Sequence, residues 1–263
     1  MIRIFRAEWT KLRRPTLLLG TFAAATFFSG LFSALLFLLI DNPNGNADRG
    51  RVVTREMLEL PRGVVQGFNS ISGLLGIIAL CIFAAQTAQE YTYGTLRNLL
   101  VREPRRLRLL IGKLASMAAF AAIMVLLALV TSITAQLIFA PGKNVSTAQW
   151  FTEEGLRYIS QSVINVFIAT VMFGIVGMVL GILLRSPITS ISIAVVWILI
   201  IESLLTALRP SVEKWLPGAL LSAVGQGGSM TLEYQRSLIA SSLFIVVISV
   251  IATVLFVKRD VSQ

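Results

Sequence analysis

Histidine is absent from the 263 residues, and Cys81 is the only cysteine. These two absences remove His-ligated haem, His-based zinc sites, Ser-His and Cys-His nucleophile pairs, and any disulfide within the chain. Charge is scarce as well: 14% of residues are charged, against roughly 25% in soluble domains. What fills the chain instead is apolar. Hydrophobic residues make up 56% of it and the mean hydropathy is +0.80, gathered into several runs of more than twenty residues. Each run matches the roughly 20 residues that cross a hydrocarbon core as a helix, and none alternates as the strands of an outer-membrane barrel do. The sequence therefore predicts an all-α polytopic membrane protein. Cys81 lies inside one run and reads as a buried, inert thiol.

Hydropathy predicts six transmembrane helices, at 15–40, 64–89, 109–140, 156–184, 188–208 and 237–257, in a single transmembrane domain covering 1–263. The third window is too long for a single straight crossing and is expected to include a helical turn outside the bilayer. The formal charge of +10 tests the topology. With both termini cytoplasmic, the inside segments hold fourteen basic residues against four acidic ones, and the outside segments nine of each. All the net charge falls on one side, as the positive-inside rule asks, where it meets anionic membrane lipids. A nucleic-acid partner is not needed to explain it. The basic start followed by an apolar run imitates a signal peptide. A cleavable apolar region is only about 7–15 residues long, so the first span is expected to remain as an anchor.

Between the spans, Ile2, Phe5, Trp9 and Leu12 recur at helical spacing among Arg3, Arg6, Lys11, Arg13 and Arg14, which predicts an amphipathic interfacial helix over 1–14. Pro15 then opens the first span. The outer loop 41–63 begins with a cluster of turn formers, followed by a short helical pattern through Val52–Leu60 that Pro61 stops. The outer half of the second span carries Gln66, Asn69, Ser70, Ser72, Gly73 and Gly76, polar enough to need protein or a wet cavity beside it. Gly174, Gly177 and Gly181 in the fourth span permit close helix packing. In the fifth span Ser186-Pro187 reads as a cap and first-turn proline, and Glu202 is an intramembrane acid. It is a candidate for a transport pathway, with an ion pair to Arg209 or Arg157, or exposure to an outer vestibule, as the structural alternatives. The segment 209–236 is too broken by Pro210, Pro217 and Gly218 to cross, and predicts short re-entrant helices before span six.

The cytoplasmic connection 90–108 carries the most specific signal. Leu96, Leu99 and Leu100 have helical spacing with charges between them, and Pro104 breaks the pattern. A short helix lying along the membrane and fixed between two spans is a lever. The residues Glu90-x-x-x-Gly94-Thr95-x-Arg97, then Leu99-Leu100, Pro104-Arg105-Arg106 and Gly112-Lys113 resemble the cytoplasmic loop of type-2 ABC transporter permeases, notably actinobacterial ones. Weaker agreement covers Ala7–Pro15 and Trp215–Pro217.

The resemblance implies a membrane subunit of an exporter in the bacterial plasma membrane. Such a subunit dimerises with a second copy or a paralogue and works beneath two copies of a separate ATP-binding subunit. In it the 90–108 loop is the coupling helix. Glu90, Gly94, Thr95, Arg97, Pro104 and Arg105 fall on the matching ATPase-coupling positions, with Lys113 at the exit. Glu90 and Arg97 would offer charged contacts, Thr95 a polar one, and Gly94 a close backbone approach. The family's architecture makes Asn69 and Glu202 candidate lining residues of the substrate pathway. The chain has no G-x-x-x-x-G-K-[ST] loop, so ATP and Mg belong to the partner and the subunit is expected to be neither enzyme nor cofactor carrier. It is expected to hold no catalytic or metal-binding residues. The substrate class is amphipathic or hydrophobic: a drug, peptide or lipid. Two rivals remain. An ion-driven secondary carrier would show inverted repeats and several intramembrane acids, and a non-transporting scaffold would need no ATPase.

Overall fold

The computed structural model describes residues 2–40, 54–102 and 105–258, without the side chains of Arg97, Asn98, Leu100 and Arg102. Among the described residues the chain is all-helical, with no strand. Its elements in order are α1 (Ile2–Leu12), α2 (Pro15–Leu38), α3 (Arg55–Glu59), a 3₁₀ turn (Pro61–Val65), α4 (Gln66–Ser70), α5 (Ser72–Thr92), α6 (Thr95–Arg102), α7 (Arg106–Phe139), α8 (Glu153–Leu184), α9 (Pro187–Val195), a π-helical stretch (Val196–Ile201), α10 (Glu202–Leu208), a second 3₁₀ turn (Pro210–Trp215), α11 (Pro217–Gln226) and α12 (Tyr234–Lys258). Six helical units are long and apolar enough to cross a membrane: Pro15–Leu38, Pro61–Thr92, Arg106–Phe139, Glu153–Leu184, Pro187–Leu208 and Tyr234–Lys258.

Local chemistry sets the boundaries. Pro15 and Pro187 stand in the first turns of α2 and α9, where the missing N–H is no loss. Thr152 caps α8 by accepting from the Gly155 N–H at 3.3 Å, and Glu153 and Glu154 follow in the first turn, where the helix dipole favours acids. The second span is not one smooth helix: Ile71 interrupts it, and the polar stretch before that point is wound as a 3₁₀ turn and the short α4. The third span continues as one 34-residue helix, long enough for the helical turn outside the bilayer that its length suggested.

Helices in a bilayer gain little from hiding apolar surface against one another, so close approach through small residues decides which ones pair. The tightest pair is α5 with α8. Gly76 faces the Phe173 ring, Gly174 the Phe83 ring, Gly177 the Leu80 carbonyl and Gly181 the Ala84 carbonyl. A Cβ on Gly177 would lie 2.1 Å from that carbonyl oxygen, so only glycine permits the approach. A second pair, α2 with α7, is joined by hydroxyls. Ser29 donates to the Ala128 carbonyl at 2.6 Å, and Ser33 and Ser132 share a 2.7 Å hydrogen bond. Beyond α3, Trp150 donates its indole N–H to the Leu58 carbonyl at 2.7 Å and packs with Phe37, Val64 and Val65, closing the end of the bundle away from α1. By contrast, α9–α10 and α12 leave Ile188, Leu204, Leu208, Ile239 and Leu243 exposed, apolar faces suited to lipid or another helix.

Gly177→Leu is expected to force α5 and α8 apart at a cost of about 1–3 kcal/mol or more, lowering the thermal midpoint in detergent. Gly20→Leu, where a Cβ has nothing within 4 Å, should leave it unchanged.

Candidate functional site

At the end of the bundle that carries α1, three elements converge on one buried lysine. Ile4, Glu8 and Leu12 recur every four residues and so share one face of α1. On α7, Leu109, Gly112, Lys113 and Ser116 share the buried face. Gly112 lets the two helices touch: a Cβ there would be 2.7 Å from the Ile4 Cγ2. One turn further along α1, Glu8 Oε2 accepts from Lys113 Nζ at 2.8 Å, and Glu90, near the end of α5, accepts from the same ammonium at 2.6 Å. Lys11 closes the cluster, donating to Glu90 Oε1 at 2.7 Å and to Glu8 Oε1. Lys113 is 2% exposed, Glu8 3% and Glu90 6%.

Two carboxylates and two ammoniums thus neutralise one another, with Glu8, Glu90 and Lys113 out of water and Lys11 partly exposed. Each alone would carry a desolvation penalty of several kcal/mol, and removing one member of such a set leaves an uncompensated buried charge. For Glu8, burial favours the neutral acid, but Lys113 and Lys11 together outweigh it and hold the carboxyl below its ordinary value. For Lys11, burial favours the neutral amine, while Glu90 and Glu8 outweigh it and raise the ammonium above its ordinary value.

Beside this cluster, the chain turns from α5 into α6. The Tyr93 N–H donates to the Gln89 carbonyl at 2.9 Å, and Gly94 follows with φ of +65°, a left-handed conformation that favours glycine. Leu96 of α6 is buried in the main core and Leu99 packs against it, while Tyr93, Thr95 and Val101 face outward. Between α1 and α6 lies a cleft of about 290 Å³, lined by Lys11, Arg14, Gln86, Gln89, Glu90, Tyr93, Thr95 and Leu99.

The predicted coupling residues therefore fall into different places. Thr95 is exposed at the cleft, and Arg105 is exposed at the start of α7. Glu90 does not present its carboxylate outward as expected, because Lys11 and Lys113 occupy it. Gly94 has nothing within 4 Å of its would-be Cβ within this chain, and its left-handed turn favours glycine there. Pro104 and the Arg97 side chain lie outside the described residues. Sequence reasoning missed Glu8 as a partner. The available signal was an acid on the Ile4–Leu12 face of an otherwise basic helix.

Asn69 and Glu202 lie elsewhere. Asn69 is in α4, half-buried, and its Oδ1 has no hydrogen-bond partner among the described residues. Glu202 is 5% exposed and accepts three hydrogen bonds: from the Gly218 N–H at 2.9 Å, the Ala219 N–H at 3.0 Å and the Trp197 indole at 3.0 Å. It caps the first turn of α11 from a neighbouring helix, satisfying two N–H groups that a helix start leaves open. Trp197 reaches it from five residues away because the π-helical stretch brings i and i+5 into line. These partners are neither the Arg209 nor the Arg157 of the expected ion pair.

A family described as "Protein of unknown function (DUF2705)" matches residues 31–262. The chain belongs to the DUF2705 family. No curated protein matches it significantly. The family match takes in Glu90, Lys113 and Glu202 of this DUF2705 chain and begins after α1. Among the described residues, no group of three or more His, Cys, Asp or Glu is placed to hold a metal ion.

Two outcomes are expected for this DUF2705 protein. The docking of α1 should be insensitive to pH between about 5 and 10 and weaken outside that window. Glu8, lowered, contributes stability that is lost as the pH falls through its folded value; Lys11, raised, contributes stability that is lost as the pH rises through its own. Limited proteolysis of α1 across pH measures this. Glu202→Gln replaces an acceptor oxygen by an amide donor facing two N–H groups, so amide exchange at Gly218 and Ala219 should rise on the order of tenfold. Exchange in α8 should not change.

Proposed function

We propose that the chain is the membrane-spanning subunit of an ATP-driven exporter of the type-2 ABC kind, with α6 as its coupling helix. What carries this reading is the mounting of α6. It is a short surface helix set between the second and third spans, gripped through Leu96 and Leu99, with Thr95 and Val101 turned outward. At its base, Glu90 of the second span and Lys113 of the third are joined to each other at 2.6 Å. A push on α6 is therefore delivered to both spans at once.

In this reading the α1 end of the bundle faces the cytoplasm of a bacterial cell, both termini lie there, and α1 rests in the membrane interface with its basic residues among anionic headgroups. Two ATP-binding subunits, separate chains that bind ATP and Mg, dock below. A second copy or a paralogue packs against exposed apolar faces such as that of α9–α10. The broken outer half of the second span and the fifth span border the path of an amphipathic or hydrophobic substrate, and α11 dips into the outer interface beside it. Asn69, with an unpartnered polar atom, is the stronger lining candidate; Glu202 acts on the path by holding α11.

The test is purification from native membranes of a Val101→Cys chain carrying a photo-cross-linker on the introduced thiol. A soluble P-loop ATPase is expected to co-purify and to cross-link at α6. Labelling of that thiol only from outside the cell, or co-purification without any ATPase, overturns the reading.

A further inference from the structure

We infer that the cleft between α1 and α6 is a socket for an acidic side chain of the ATPase partner, an inference that rests on the docking role proposed for α6. The charges around it decide what it accepts. Glu90 lines the cleft, yet Lys113 stands behind it at 2.6 Å and Lys11 beside it at 2.7 Å. Glu8 is likewise matched by Lys113 at 2.8 Å. The four charges of the cluster cancel, and the one left over in the lining is Arg14. Arg14 is exposed and makes no hydrogen bond or ion pair among the described residues. Its guanidinium has five donors in a planar fork that fits a carboxylate with two parallel hydrogen bonds. Lys11 has three N–H groups and two carboxylate partners, which leaves one donor for a ligand. Tyr93, Thr95, Gln86 and Gln89, each with a group able to donate as well as accept, complete the lining.

Position argues the same way. Arg14 is the residue before the first turn of α2, and Tyr93 the residue after the last turn of α5, so the cleft opens where two spans leave the membrane, next to the exposed Thr95. A volume of about 290 Å³ admits a side chain and not a folded element. Lys113 is the hidden requirement. Without it, Glu90 would repel the incoming carboxylate.

The experiment compares Arg14→Glu with Arg3→Glu, a reversal of the same charge on the exposed face of α1 away from the cleft. Each is placed in nanodiscs of either neutral phosphatidylcholine or anionic phosphatidylglycerol, and binding of the co-purifying ATPase is measured. Arg14→Gln, which removes the charge without adding one, guards against a purely disruptive effect. The expected result is at least tenfold weaker binding for Arg14→Glu in both lipids, an intermediate loss for Arg14→Gln, and less than a twofold change for Arg3→Glu. Unchanged binding by Arg14→Glu overturns the socket while the docking role of α6 stands. A loss seen only in phosphatidylglycerol also overturns it, naming a lipid phosphate as the occupant. If the wild-type chain binds no ATPase, the docking role falls and the socket with it.

Discussion

An ammonium group 2% exposed is a costly thing to build into a protein, and it persists only when its partners are fixed around it. Lys113 imposes that condition on three elements at once. It needs Glu8, which fixes where α1 lies; it needs Glu90, which fixes the end of α5; and through Glu90 it engages Lys11, which turns α1 to face the cleft. The apolar contacts are arranged to suit, with Gly112 yielding room for Ile4 so that the helices can come close enough for the ions to meet. A buried ion pair adds little net stability, yet breaking it leaves an uncompensated charge, so alternatives that separate its members are disfavoured. Here the arrangement specified is a single block of three helix ends from which α6 projects.

The rest of the bundle follows a different logic. Where lipid is as apolar as leucine, a helix is held by shape and by the occasional polar bond. The α5–α8 pair has shape, through Gly76, Gly174, Gly177 and Gly181. The α2–α7 pair has hydroxyls. The remaining spans have less of both within this chain, and their apolar side chains point away from it. The protein thus divides into a close-packed centre and a loosely attached flank, α9–α10 and α12. Glu202 is one of the polar ties that connect flank to centre through α11.

Much of this was legible in the sequence and some was not. The spans could be read because twenty apolar residues in a row have one physical meaning. The short helix after Gly94 could be read because Leu96 and Leu99 keep helical register between charges, and the short helices after Pro210 because proline and glycine break a crossing. The small residues of α8 correctly marked a close contact, though not the partner. What could not be read was which charges are buried. Glu90, Lys113 and Glu8 look like members of a solvated face, and only the three-dimensional approach of α1 to α7 removes them from water. The break at Ile71 and the π-helical stretch were also invisible, since no proline marks either.

That widened stretch at 196–201 has a mechanical corollary. A π turn carries one residue more than the α-helix around it, which sets everything downstream about 100° out of phase with an uninterrupted helix. Glu202 is the first residue after it. Its carboxylate meets the Gly218 and Ala219 N–H groups in that phase. Were the surplus residue absorbed by an ordinary turn, Glu202 would swing around the helix barrel and release α11, so a change of winding in one span would become a change of attachment in its neighbour.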